Sequence, residues 1–275
     1  MDFDLLGTLQ YLVRWTHVFA AILWIGQTYL FNFMEDRLES ADGDDVIIGK
    51  LWMVHGGGLF RVEKQRYASY LPPVLHWFKY EAAATWLSGI VLITLVYYVD
   101  GLLITPDQDF LTAALVGGFS LPVGWLLYDG LVRSPLGRRP VLFAAIGLVL
   151  IMALHYGYLQ VMSPRSAFIH VGAVLGSIMT ANVWERILPS TEKQLAAIRS
   201  GTPVSVDVAS TGPLRSRQNS YVVMPVVAIM ISNHYPSVSY GNEHSTLVLG
   251  VLVVLGWGIA RLFRKPLFGR GAAHE

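Results

Sequence analysis

The sequence contains no cysteine. That excludes disulfides, thiolate-ligated iron–sulfur clusters and covalent c-type haem attachment within these 275 residues. Any metal or haem has to be held by His, Met, Tyr or carboxylates. Charge is the second scarcity: 14 % of the residues are Asp, Glu, Lys or Arg, against roughly 25 % in soluble domains. A net charge of +1 gives no basis for binding nucleic acid. No cleavable leader is expected, because the first apolar run is long and is flanked by Asp2 and Asp4.

What replaces charge is apolar length. Runs of about 20 apolar residues recur, each long enough to cross a ~30 Å hydrocarbon core. They predict an all-α fold, a polytopic membrane helix bundle forming one domain over residues 1–275. Seven spans are expected, at 9–33, 72–99, 110–131, 140–161, 166–188, 220–236 and 244–263. Residues 189–219 are expected to form a long cytoplasmic loop that begins with a short amphipathic helix over 190–200 and then turns rich in Gly, Ser, Thr and Pro.

The basic residues set the expected orientation. Segment 34–71 carries Arg37, Lys50, Arg61, Lys64 and Arg66. Segment 132–139 carries Arg133, Arg138 and Arg139, and segment 186–219 carries Arg186, Lys193, Arg199, Arg215 and Arg217. The tail carries Arg261, Arg264, Lys265 and Arg270. The alternate connections hold only Arg165, so the N-terminus is expected outside and the C-terminus in the cytoplasm.

Histidines inside spans are functional candidates, because polar groups in the bilayer are costly. His155 lies seven residues before Met162 and His170 eight after it, on antiparallel neighbours across a tight outer turn. At a ~1.5 Å rise per residue both sit about two turns below the outer surface. His17 has a similar depth in the first span, and His234 lies at the outer end of the sixth. Two facing imidazoles in a bundle are a common way to hold haem b, so these four are the haem-ligand candidates. The preferred pair is His155 with His170, or His17 with one of them. The competing readings are interhelical hydrogen bonding and a proton path.

A second group collects at the cytoplasmic side. "MVHGGGLFRVEK", residues 53–64, puts His55 before Gly56, Gly57 and Gly58, followed by Arg61, Glu63 and Lys64. Glycines allow close backbone approach and arginines offer planar forks, a combination suited to a small planar anion. His76, Lys79, Glu81, Asn182, Trp184, Arg186, Arg215, Arg217 and Asn219 belong to the same side. The competing reading is that the basic residues only fix topology.

"HGGGLFRVEK", "PPVLHWFKYEAAATWLSG", "WLLYDGLVRS", "ANVWERILP" and "RSRQNSYVVMPVVAIMISNHYP" together resemble the membrane domain of the bacterial membrane-bound urate oxidase (urate hydroxylase) family. The first span, "WTHVFAAILWIG", is also similar to the first helix of a wider group of haem-associated membrane proteins. That group includes membrane-type protoporphyrinogen oxidases and copper-resistance membrane proteins. The resemblance implies an inner-membrane protein of purine catabolism that oxidises urate to 5-hydroxyisourate, with water as oxygen source and a c-type cytochrome as acceptor. It implies roles for His55 and the three glycines as backbone and proton-transfer contacts. Arg61, Arg215 and Arg217 become anion clamps, Asn219 a further substrate contact, and Glu63 or His76 the general base. Members of the family are similar in carrying a further span and an outer cytochrome c domain, which these 275 residues do not include. A separate acceptor is therefore expected. The alternative is an accessory or assembly subunit of a larger respiratory or photosynthetic membrane complex, without urate turnover. A transporter is disfavoured by the lack of an inverted repeat, although Pro122 and Pro225 lie within spans.

Overall fold

The computed structural model describes residues 4–41, 46–65, 71–72 and 74–264. Asp2, Arg66, Lys265 and Arg270, named above for the leader and the orientation, lie outside the described residues. The chain is a helical bundle. Its helices are α1 (Leu5–Asp36), α2 (Tyr80–Ile93), α3 (Phe110–Arg133), α4 (Pro140–Leu159), α5 (Pro164–Ala181), α6 (Leu188–Arg199), α7 (Val206–Ile231) and α8 (Ser245–Arg264). A wide π-helical turn extends α2 over Thr94–Val99, and a second one, Asn182–Ile187, joins α5 to α6 without a break. Among the described residues, seven helical rods therefore stand where seven spans are expected.

Five of these rods are long and apolar enough to cross a membrane: Tyr80–Val99, Phe110–Arg133, Pro140–Leu159, Pro164–Arg199 and Ser245–Arg264. The other two, α1 and α7, are long enough but more polar. The apolar part of α7 after Asn219 and Ser220 runs only from Tyr221 to Ile231, about 16 Å at ~1.5 Å per residue. Its polar N-terminal half is helical too. The expected loop 189–219 thus reduces to the turn 200–205 between two helices, since α6 continues to Arg199 and α7 starts at Val206. Ser205 caps α7 by accepting from the Val208 amide, and interhelical packing carries the helix through Gly212 and Pro213.

α5 is the axis of the bundle. In the window that would cross the membrane, 83 % of its residues are inside the protein, against 11–28 % for the other four rods. Its small residues allow this close packing. A Cβ on Gly172 would stand 2.8 Å from Ile229 of α7. The core around it joins Tyr158, Met162, Phe168, Val171, Ile229, Leu249 and Val253. At the other side of α7, Gly256 of α8 lies against Pro225, so closely that a Cβ there would stand 2.7 Å from the ring Cδ.

One small element within the helical bundle fold is not helical. A three-stranded antiparallel sheet stands between α1 and α2: β1 (Glu39–Ser40), β2 (Ile47–His55) and β3 (Gly58–Gln65), in the order β1-β2-β3. The motif with three glycines is its hairpin tip. His55 pairs with Gly58, and the two residues between them, Gly56 and Gly57, have φ of +58° and +78°. Positive φ at both central positions is the requirement of a type I′ turn, which matches the twist of the two strands. Helical periodicity is absent from 47–65, and the alternation that would mark strands is blurred because both faces of the hairpin are largely exposed.

Hydrogen bonds sort the molecule into two ends. At one end Gln10 reaches Asp100, Ser163 donates to Leu102 O, Gln108 donates to Met162 O and Arg165 donates to Asn233. At the other end Gln27 donates to Glu81, Arg264 reaches Asn32 and Ser220, and the arginines of α7 and the wide turn after α5 meet Asp129. The second end carries most of the arginines, and we call it the basic end.

Candidate functional site

The basic end holds a buried polar centre built from three helices. α3 supplies Trp125, Tyr128 and Asp129; the wide turn after α5 supplies Asn182 and Arg186; α7 supplies Arg215, Gln218 and Asn219. Arg186 holds both oxygens of Asp129: Nε donates to Oδ1 at 2.8 Å, and a terminal nitrogen donates to Oδ2. Arg215 donates to Asp129 Oδ1 at 2.5 Å and to Asn182 Oδ1 at 3.3 Å. Arg133 lies 3.7 Å from Asp129 Oδ2. Asn182 donates to Asn219 Oδ1 at 2.8 Å and to the Tyr128 hydroxyl at 3.1 Å, and that hydroxyl donates to Gln218 at 2.5 Å. Asn219 in turn donates to Met179 O. The Arg215 guanidinium faces the rings of Tyr128 and Trp125 at 5.3 and 5.9 Å, and Arg186 faces Trp125 at 5.8 Å. Arg215 is 3 % exposed and Asp129 5 %. One carboxylate thus serves three guanidiniums, two of them closely, and the network retains an excess of positive charge.

The π-helical turn makes this arrangement possible. A wide turn inserts an extra residue and reorients the side chains that follow it, and such turns are frequent at functional sites. Here it aims Asn182 and Arg186 at the polar centre, while Trp184 lies beside the Lys79 ammonium at 5.7 Å.

The residues singled out from the sequence fall into separate places. His55, Gly56, Gly57, Gly58, Arg61 and Glu63 all lie on the β2–β3 hairpin. His55 is exposed, and Arg61 is paired with Glu63 at 2.5 Å and lies over Trp52. Lys64 of the hairpin bonds to Glu35 of α1 at 2.7 Å. His76 is exposed in the segment that leads into α2. Arg215 and Asn219 come together in the polar centre, where Arg215 is already committed to Asp129. Arg217, two residues on, is exposed. Asp129, Tyr128 and Gln218 lie within motifs quoted for the family resemblance, which assigns them no site role. The available signal for Asp129 is a carboxylate inside an apolar span, which calls for a partner.

The histidines occupy the other half of the bundle. His155 of α4 is fully buried: Nδ1 lies 2.9 Å from Thr246 Oγ1 of α8, and Nε2 is buried with no partner among the described residues. His170 of α5 is 1 % exposed. Its Nδ1–H donates to Ser166 O at 2.8 Å, and Nε2 accepts from the Tyr98 hydroxyl at 3.0 Å. The rings of Tyr97, Tyr98 and Tyr158 surround it at 5.8–5.9 Å. His17 donates Nδ1–H to Thr85 O of α2 at 2.9 Å, and Gly89 gives its ring room. His155 and His170 thus turn to different helices for their hydrogen bonds. His234 is exposed beyond the end of α7. Among the described residues no three His, Asp or Glu side chains converge as a metal site.

The urate oxidase N-terminal family model matches residues 4–271. No curated protein and no solved structure matches the chain. The match takes in α3, the wide turn of α5 and α7, whose motifs meet around Asp129, as well as the histidine-bearing helices. By that match over nearly its whole length, this membrane-helix protein belongs to the urate oxidase N-terminal family.

Proposed function

We propose that the chain is a redox protein of the inner membrane that oxidises urate at its basic, cytoplasmic end and passes electrons outward to a c-type cytochrome. The family match over residues 4–271 carries this reading. In the reaction C5 of urate gains the oxygen of one water, and two protons and two electrons leave, giving 5-hydroxyisourate. The cytochrome takes the electrons one at a time. A planar anion suits an end of the molecule where arginines outnumber carboxylates around Asp129. His55, Glu63 and His76 remain the candidates for proton transfer, and Gly56, Gly57, Gly58, Arg61, Arg215, Arg217 and Asn219 those for substrate contact. Arg217 is exposed at the surface of α7, whereas Arg215 would act from within its bond to Asp129.

Haem b in the outer half is part of the proposal. His155 would hold it: its Nδ1 is fixed by Thr246, and its Nε2 is buried with no partner among the described residues. His17 also keeps Nε2 free of the bond that holds Nδ1 on Thr85. His170 would have to give up the Tyr98 hydroxyl to serve as the second ligand. When bound, the haem supplies single-electron storage between a two-electron donor and a one-electron acceptor.

The test is an oxidised-minus-reduced visible spectrum of the purified protein, with urate as one reductant and 5-hydroxyisourate formation followed in parallel. A b-type spectrum reduced by urate is expected. A haem-free protein without urate turnover would overturn the proposal and leave an accessory subunit of a larger complex.

A further inference from the structure

Beside the polar centre lies a second group of side chains with no part in the haem and hairpin roles proposed above. It is formed by α1, the start of α2 and the wide turn of α5. Glu81, in the first turn of α2, accepts from Gln27 Nε2 of α1 through Oε1 at 3.1 Å. Its other oxygen, Oε2, is buried and has no partner among the described residues. Two residues earlier, the Lys79 ammonium faces three aromatic rings: Tyr80 at 5.4 Å, Trp77 at 5.5 Å and Trp184 at 5.7 Å. Among the described residues no carboxylate lies within ion-pair distance of Lys79. Trp24 and Trp77 pack on the small buried cluster of Ala82, Val183 and Leu188. Trp77 also walls a cavity of about 380 Å³, shared with Val74, Leu75, Glu192, Leu195 and Arg199.

These features make complementary demands. A buried carboxylate oxygen without a donor is costly, so it calls for a ligand N–H. An ammonium held among aromatic faces, with no carboxylate in ion-pair distance among the described residues, is open to a delocalised anion. Flat aromatic walls call for a flat ligand. We propose that Gln27, Trp77, Lys79, Glu81 and Trp184 form the seat of a planar anionic heterocycle with alternating ring N–H and C=O groups, next to the cavity that Trp77 walls. Urate is such a molecule. The identification of the ligand rests on the function proposed above, and it moves substrate recognition from the β2–β3 hairpin to the mouth between α1, α2 and α5. Glu81 takes ring N–H groups, Gln27 holds Glu81 in place, and Lys79 faces the ring's delocalised charge.

The test is urate binding to the full-length protein in lipid nanodiscs, under anaerobic conditions and without an electron acceptor, by equilibrium dialysis and tryptophan fluorescence. Lys79→Met and Glu81→Gln are expected to weaken binding tenfold or more at unchanged melting temperature. Lys79→Arg should keep it within about threefold, and Arg139→Ala on the α3–α4 turn should leave it unchanged. Trp184→Phe should remove part of the fluorescence change. Lys79 is partly exposed, so its variants report even where a Glu81 variant fails to fold. If the wild type binds urate and the Lys79 variants bind it equally well, the seat is wrong while the proposed function stands. If the wild type binds no urate at millimolar concentration, the proposed function fails and the seat fails with it.

Discussion

Asp129 and Arg215, 86 residues apart in the chain, are joined at 2.5 Å in a place where neither is open to solvent. Arg186 closes the same carboxylate from the third helix. The three residues therefore lock α3, α5 and α7 together. Breaking a buried pair strands a charge, whereas replacing both partners removes the demand for desolvation.

Asp129→Ala is expected to destabilise the protein by about 3–5 kcal/mol, since it leaves the Arg215 guanidinium buried without its carboxylate. Arg215→Met combined with Asp129→Leu should cost less than the sum of the two single changes. Thermal unfolding in detergent or nanodiscs measures this, and strict additivity would show that the two residues do not act as a pair.

The α7–α8 contact depends on one missing methyl group. A Cβ on Gly256 would stand 2.8 Å from the Pro225 backbone nitrogen, which cannot move aside as a side chain would. Gly256→Ala should therefore lower stability by about 1–3 kcal/mol through overpacking. Gly258, two residues on, has nothing within 4 Å, and Gly258→Ala should be neutral or stabilising, because alanine is the better helix former. Equal effects of the two changes on the melting temperature would contradict the close approach of Gly256 to Pro225.

The hairpin tip separates a turn function from a ligand function. Gly56 and Gly57 both need positive φ, which asparagine tolerates and a β-branched residue does not. Gly56→Asn should leave the fold intact, while Gly57→Val should strain the turn by about 1–2 kcal/mol. Urate turnover that survives both Gly56→Asn and Gly57→Asn would assign these two glycines to the turn. Turnover lost without loss of stability would return them to the substrate site.

The unpartnered nitrogen of His155 gives the haem proposal its sharpest test. His155→Gly should remove the b-type visible spectrum, and added imidazole should restore it. His234→Ala should leave that spectrum unchanged, because His234 is exposed beyond the bundle. A spectrum indifferent to His155→Gly would exclude this residue as the ligand.

The sequence by itself determined most of the membrane-length helices. Apolar runs of spanning length have no alternative in a bilayer but to satisfy their backbone internally, so the cores of α2–α5 and α8 were legible, although the second rod begins at Tyr80 and not at 72. The basic segments marked one end for the same kind of local reason. Tertiary structure decided the rest. The N-terminal half of α7 is rich in Ser, Thr, Gly and Pro, and it is helical because α6 and the wide turn of α5 pack against it. The strands of residues 47–65 came from pairing across a glycine turn that reads, in one dimension, as a ligand loop. The site followed the same division. Buried histidines stood out against apolar spans, but their partners did not: Thr246 lies 91 residues from His155 and Tyr98 lies 72 from His170. Arg215 read as a free clamp because its charge was visible and Asp129, in another helix, was not yet beside it. Long-range hydrogen bonds are set by how helices pack, and no local pattern of residues encodes them.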